Sequence, residues 1–159
     1  MEQQLLTLSN QLAQILINNR YTVSTAESCT GGLLSHVLTS VSGSSQYFIG
    51  GVIAYSNEIK EKVLSVPKAT LINHGAVSQY TALAMANGIR QKFHSDIGLS
   101  TTGIAGPTGG TPEKPVGLVW IGISTSTKTL AYENFFSGDR DVIKHQTVSI
   151  LFSLLMDLI

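Results

Sequence analysis

Residues 21–41 hold a strand-like run that turns without a linker into a helix-like one, and a chain built on such a junction is committed to layering helices on a sheet. Tyr21 to Ala26 alternates and carries β-branched residues, as a short strand does. From Gly31 to about Val41, Leu33, Leu34, Val37 and Leu38 recur at helical spacing. The elbow between them is Thr25-Ala26-Glu27-Ser28-Cys29-Thr30-Gly31-Gly32. Small hydroxyl residues and two glycines let a backbone pass close to a ligand. They also leave N–H groups of the first helical turn ready for an anion, with Ser28 where that field is strongest. A plain connection whose hydroxyls cap the next helix accounts for the same eight residues.

The rest of the chain repeats this alternation. Leu5, Leu8, Leu12, Ile15 and Leu16 predict an amphipathic helix over residues 3–18, and Gln46 to Tyr55 reads as a strand apolar on both faces through Phe48, Ile49, Val52 and Ile53. In Tyr55-Ser56-Asn57-Glu58-Ile59-Lys60, Ser56 or Asn57 can cap a short helix with Lys60 in its first turns. A cation near the positive end of a helix dipole is either deliberately placed or part of a mixed solvated face with Glu58, Glu61 and Lys62. Val66-Pro67-Lys68 breaks the pattern, and Ser78 caps a helix to about Phe93 with Ala82, Met85, Ala86, Ile89 and Phe93 on its inner side.

Ile97 to Thr102 is a strand that runs into the longest loop, Gly103-Ile104-Ala105-Gly106-Pro107-Thr108-Gly109-Gly110 and onward to Pro115. Its glycines fit neither a Walker loop nor a dinucleotide-binding turn, so it is either a nest of N–H groups lining a site or a surface excursion. Leu118 to Ser124 and Thr129 to Phe136 predict a hairpin. Asp139 caps a last helix that runs to the end of the chain. Arg140 in its first turn is either beside a bound anion or paired with Asp139 or Asp141.

Composition limits the partners. The 159 residues predict one compact α/β domain, and 13% charged residues, ten basic against ten acidic, offer no broad basic face for a nucleic acid. No apolar run reaches the ~18 residues of a membrane span, and Met1-Glu2-Gln3-Gln4 lacks the positive flank of a signal peptide, which predicts a soluble, cytoplasmic protein. The four histidines and the one cysteine stand at no metal-ligand spacing, so neither metal nor cofactor is expected.

Four stretches match one family in register: TAESCTGG at 25–32, YSNEIK at 55–60, GIAGPTGG with EKPVG at 103–117, and SGDRD at 137–141. The chain resembles the stand-alone form of the CinA C-terminal domain family, the nicotinamide-nucleotide amidases. The resemblance implies a three-layer α/β/α sandwich with a mixed β-sheet, and hydrolysis of the carboxamide of nicotinamide mononucleotide to nicotinate mononucleotide and ammonia. It makes Ser28 the nucleophile, Lys60 its base and Tyr55 a hydrogen-bonding partner. Ligand contacts are implied for Thr30, Gly31 and Gly32, for Asn57, for Gly103, Ala105 and Gly106, and for Arg140.

The chemistry asks for the same parts. An amide is a poor electrophile, so the serine must lose its proton as it attacks, and the oxyanion must meet donors such as the N–H groups after Gly31. Lysine serves as a base only when neutral, which at an ordinary pKa of ~10.4 holds for about one molecule in a few thousand at pH 7. Burial or a helix N-terminus must lower it. A rival enzyme reading makes Cys29 the nucleophile with Glu27 and Lys60 in support. A different class is a non-catalytic nucleotide-binding or interaction module. The apolar last helix, where Val148, Ile150, Leu151, Phe152, Leu154, Leu155, Met156 and Leu158 leave little polar face, predicts a homo-oligomer, most simply a homodimer, with burial inside the domain as the alternative.

Overall fold

β1 (Val23–Glu27) is buried along its whole length because it is the inner strand of a parallel triplet, with β2 (Phe48–Ile53) on one side and β3 (Ile97–Gly103) on the other. β4 (Leu118–Ser124) and β5 (Thr129–Phe135) continue the sheet antiparallel beyond β3, giving the order β2-β1-β3-β4-β5. The structure, a computed structural model, describes residues 2–159. α1 (Glu2–Asn19), α2 (Leu33–Thr39) and α6 (Arg140–Leu158) cover one face of the sheet, and α5 (Gln79–Phe93) covers the other, flanked by α3 (Asn57–Leu64) and α4 (Lys68–His74). The fold is the three-layer α/β/α arrangement with a mixed sheet.

The topology fixes where a ligand can enter. From the carboxyl end of β1 the chain leaves through α2 toward β2, whereas from the carboxyl end of the adjacent β3 it leaves toward β4. In an open α/β sheet the crevice between two strands whose connections part in opposite directions is the place for a ligand. Here its walls are the 28–32 elbow and the glycine loop.

Capping sets three of the helix starts. The side chains of Ser56, Ser78 and Asp139 accept hydrogen bonds from the N–H groups of Ile59 (3.2 Å), Thr81 (3.2 Å) and Val142 (2.9 Å). α2 begins at Leu33, later than expected, because Gly31 and Gly32 adopt left-handed φ values of 59° and 104°. α4 is a short helix that starts directly after Pro67, where the sequence predicts only a break. Its Ile72 points to solvent and its face carries no apolar stripe.

One expectation is corrected. β2 is not buried on both faces: Ile49 and Ile53 are 51% and 55% exposed, because β2 ends the sheet and alternates between a half-covered and an open side. The apolar surface of α6 is largely taken up within the domain, where Ile143, Val148, Leu151, Phe152 and Leu155 pack among α1, α2 and β4.

α5 lies unusually close to its neighbours through glycines. A β-carbon on Gly98 of β3 would run into the carbonyl of Ala86. One on Gly122 of β4 would lie 2.5 Å from the carbonyl oxygen of Ala82, which also accepts from the Ser100 hydroxyl (2.7 Å). One on Gly88 of α5 itself would strike the carbonyl of Leu64, at the end of the helix that carries Lys60. Gly88→Ala is therefore expected to destabilise the protein by about 1–3 kcal/mol through overpacking, despite alanine's better helix propensity. Urea unfolding measures this, and a variant as stable as the parent would mean that α3 has room to retreat.

Candidate active site

Ser28 is placed by the end of β1. Its N–H donates to the Thr101 carbonyl (2.9 Å), continuing the pairing with β3, and its own carbonyl accepts from Gly31 N–H (3.1 Å), which closes the elbow. The preceding residue, Glu27, is fully buried, and its carboxylate is turned into the start of α2. One oxygen accepts from Thr30 Oγ1 (2.7 Å), Gly32 N–H (2.9 Å) and Leu34 N–H (3.1 Å). The other accepts from Ser35 N–H (2.8 Å) and Ser35 Oγ (2.6 Å).

The anion expected at this helix N-terminus is thus the chain's own side chain, which satisfies the orphan donors and the dipole together. Thr30, Gly31 and Gly32 build the elbow and do not line the cleft. The signal in the sequence was an acid placed at the end of a strand, just before a Ser/Thr/Gly turn into a helix. Glu27→Ala would leave the N–H groups of Gly32, Leu34 and Ser35 without this partner, while the Thr30 and Ser35 hydroxyls keep those of Thr101 and Thr25. At about 1–3 kcal/mol for each buried group left unsatisfied, a loss of at least about 3 kcal/mol is expected in urea unfolding. A loss under 1 kcal/mol would mean that water replaces the carboxylate.

Lys60 sits in the first turns of α3 with 1% of its surface exposed. Its Nζ lies 2.8 Å from the Ala54 carbonyl oxygen, 3.2 Å from that of Tyr55 and 3.1 Å from Ser28 Oγ. Among the described residues the only ion pair is Lys62–Glu58, so no carboxylate neutralises this amine. Burial pushes the Lys60 pKa below its ordinary value, with the neighbouring Cys29 sulfur acting the other way. Three oxygens around one nitrogen suit both protonation states. An ammonium has three donors for them. A neutral amine gives two N–H groups to the carbonyls and points its lone pair at the serine hydroxyl.

Cys29 also borders the cleft, but it is a poor nucleophile. Burial pushes its thiol up to about 12, although the Thr101 side chain hydrogen-bonds to it. Glu27 faces the helix and Lys60 bonds to Ser28, so neither is arranged to serve the sulfur. At pH 8 iodoacetamide should modify Cys29 on the order of a hundredfold or more slower than a free cysteine. Rapid alkylation of the folded protein would restore the thiol as a candidate.

The cleft above Ser28 encloses about 360 Å³. Tyr55 and Asn57, both exposed, stand at its mouth, and Gly103, Ala105 and Gly106 line its far wall. A β-carbon on Gly103 would lie 2.6 Å from the Leu118 carbonyl oxygen, so the loop can turn there only on glycine. Arg140 reaches in from α6, donating through Nη1 to the Gly106 carbonyl (2.6 Å) and through Nη2 to the Tyr55 hydroxyl (2.8 Å). It forms no ion pair with Asp139, which caps the helix, or with Asp141. The Tyr55 side chain therefore serves Arg140, while its carbonyl serves Lys60.

Sequence reasoning missed the remaining wall. Ala76 and Val77, in the turn before α5, line the cleft beside Thr102, whose hydroxyl donates to the Ala76 carbonyl (2.7 Å). Two small apolar residues in a turn carry no chemical signature. Among the described residues no three His, Cys, Asp or Glu side chains are grouped to hold a metal ion, and no helix is long and apolar enough to cross a membrane.

A family model described as the CinA C-terminal domain matches residues 5–159. The chain belongs to the CinA C-terminal domain family. A CinA-like protein of Kosmotoga olearia is 51% identical over 140 residues, 88% of this chain, and one of Salinibacter ruber is 49% identical over 138 residues. The chain spans only 34% of the length of each of these two curated relatives. Among solved structures, the competence/damage inducible protein CihA of Agrobacterium tumefaciens is 37% identical with a TM-score of 0.95, over 98% of this chain and 95% of that one. A CinA superfamily protein of Escherichia coli is 30% identical with a TM-score of 0.94, over 98% and 90%. With CinA-domain membership, the four motifs fall into place as the two walls and the mouth of one cleft.

Proposed function

We propose that this CinA-domain protein hydrolyses the carboxamide of nicotinamide mononucleotide to nicotinate mononucleotide and ammonia, with Ser28 as nucleophile and Lys60 as base. The observation that carries the reading is the buried amine 3.1 Å from the serine hydroxyl, with its two other contacts on carbonyl oxygens. Neutral Lys60 takes the Ser28 proton as Oγ attacks the carboxamide carbon. The ammonium then returns that proton to the departing nitrogen, so that ammonia leaves and an ester to Ser28 remains. Water, deprotonated by the same amine, attacks the ester and frees nicotinate mononucleotide, and Ser28 regains its proton from Lys60.

The developing oxyanion needs donors other than those of α2, which Glu27 occupies. The N–H of Cys29, next to the nucleophile, and those of Ala105 and Gly106 in the far wall have no acceptor among the described residues, and they fill this role. Arg140 offers a planar pair of donors, now on two neutral oxygens, for a phosphate at the mouth.

Incubation of purified protein with nicotinamide mononucleotide and assay of released ammonia tests the reading directly. Binding without ammonia would leave a nucleotide-binding module. Ser28→Ala and Lys60→Ala should each lower turnover by about a hundredfold to ten-thousandfold, and the double variant should be little worse than the poorer single one. Because burial lowers the Lys60 pKa, activity should rise with pH through that lowered value and level off above it, where the amine is neutral. Lys60→Arg should lose both the activity and the rise, since a guanidinium stays protonated. Substantial turnover by that variant would make Lys60 a positioning cation and end the base mechanism.

A further inference from the structure

Of the sequence motifs, only the EKPVG stretch at 113–117 contributes no residue to the lining of the cleft. Lys114 is turned elsewhere. Its Nζ donates to the carbonyl of His74 (2.7 Å), and it joins no ion pair, since Lys62–Glu58 is the only one among the described residues. His74 is the last residue of α4, so the ammonium meets the negative end of that helix. The His74 ring stacks on Tyr80 of α5, with centroids 3.9 Å apart, which holds the acceptor in place. Gly75 follows with a left-handed φ of 78°, and a β-carbon there would stand 2.9 Å from the Lys114 Nζ. Glycine thus serves both the turn and the approach of the amine.

The acceptor belongs to one wall of the cleft. Three successive carbonyls lead into Ala76 and Val77, and each is taken by a side chain. Lys114 holds that of His74, Ser78 Oγ (3.0 Å) and Thr81 Oγ1 (2.7 Å) hold that of Gly75, and Thr102 Oγ1 (2.7 Å) holds that of Ala76. Only Lys114 comes from the glycine loop.

The donor is tied to the far wall. The Thr111 N–H bonds to the Lys114 carbonyl (2.8 Å) and the Lys114 N–H to the Thr111 hydroxyl (3.0 Å), so residues 111–114 make a closed turn. Beyond it the returning limb packs against the outgoing one. A β-carbon on Gly106 would run into Val116 Cγ1, and one on Gly110 would lie 2.8 Å from the Val116 nitrogen. A displacement of Lys114 is therefore passed through Val116 to Gly106 and its neighbour Ala105.

We propose that Lys114 is a positioning residue, a clamp that fixes the glycine loop to the α4–α5 turn and so holds the N–H groups of Ala105 and Gly106 in place for the reaction. The proposal rests on the amide-hydrolysis reading above, in which those N–H groups meet the oxyanion. Gly103, Gly106, Gly109 and Gly110 offer no side chains with which to hold the loop. Two cations hold it instead, Arg140 on the Gly106 carbonyl from within the cleft and Lys114 on the His74 carbonyl from outside it. Donors to an oxyanion act where charge develops, so a slack loop costs the transition state more than the bound substrate.

The experiment compares the wild type with Lys114→Met, which keeps an apolar stem and loses the donor, and with Lys114→Cys after aminoethylation, which restores an amine at lysine length. One arm measures kcat and KM on nicotinamide mononucleotide. The other follows amide hydrogen exchange without turnover at Thr111 and at Gly117, whose N–H bonds to the Ile104 carbonyl (2.8 Å), with the Ser28 N–H as reference. In Lys114→Met the two loop amides should exchange about tenfold faster while Ser28 stays unchanged. Its kcat should fall about tenfold to a hundredfold, with KM within about threefold of the wild type. Aminoethylation should recover most of both losses.

Loop exchange indifferent to residue 114, or an equal rise at Ser28, would overturn the proposal. So would a loss confined to KM, an unchanged kcat in an active enzyme, or a failure of the restored amine to recover turnover. Faster loop exchange in Lys114→Met, in a protein whose wild type releases no ammonia, would instead overturn the amidase reading and leave the clamp standing.

Discussion

An amine removed from water without a carboxylate beside it has few ways to be accommodated, and Lys60 meets that constraint with two backbone carbonyls and one serine hydroxyl. Much of the local architecture follows from supplying those three oxygens. The carbonyls of Ala54 and Tyr55 are available because the chain leaves β2 before α3 begins, and Ser56 caps that helix so that Lys60 can fold back over its start. The hydroxyl is available because Ser28 stands just past the end of β1, where its N–H is already bonded to β3. Dehydration and the positive end of α3 both disfavour the charged amine, while the carbonyls prevent the neutral one from being left unbonded.

The elbow that carries Ser28 is tightened from below by the buried side chain of Glu27. The Glu27 carboxylate meets only donors, all from Thr30, Gly32, Leu34 and Ser35, so it ties the end of a strand to the helix that follows. The arrangement removes the helix terminus from competition for ligand. In the proposed amide hydrolysis, the oxyanion would therefore draw its donors from the turn at Cys29 and from the opposite loop.

Much of this was legible in the sequence where local rules decide. The polar residues Ser78 and Asp139 marked helix starts, the Thr125 to Lys128 turn marked a hairpin, and the alternation of periods gave the fold class. Family resemblance supplied what periodicity could not: that Ser28, Lys60 and Arg140, up to 112 residues apart in number (140 − 28), belong to one cleft. What stayed hidden depends on three-dimensional neighbours. Exposure of Ile49 and Ile53 follows from β2 being an edge, which strand order decides and composition does not. Tyr55 reads as one hydrogen-bonding residue, yet its carbonyl and hydroxyl face different partners. Glu27 reads as one more polar residue of a motif, because its role depends on donors that exist only once α2 has formed.

The glycine contacts of α5 have a mechanical consequence. With backbone carbonyls of Ala82 and Ala86 set against Gly122 and Gly98, and Gly88 against Leu64, that layer has no cushion of side chains to shear or roll upon. The floor of the cleft, including the strand ends and the helix that carries Lys60, thus behaves as one stiff body. Adjustment to differently shaped guests is left to the rim, where Tyr55, Asn57 and Arg140 are exposed and held by single hydrogen bonds or none to side chains.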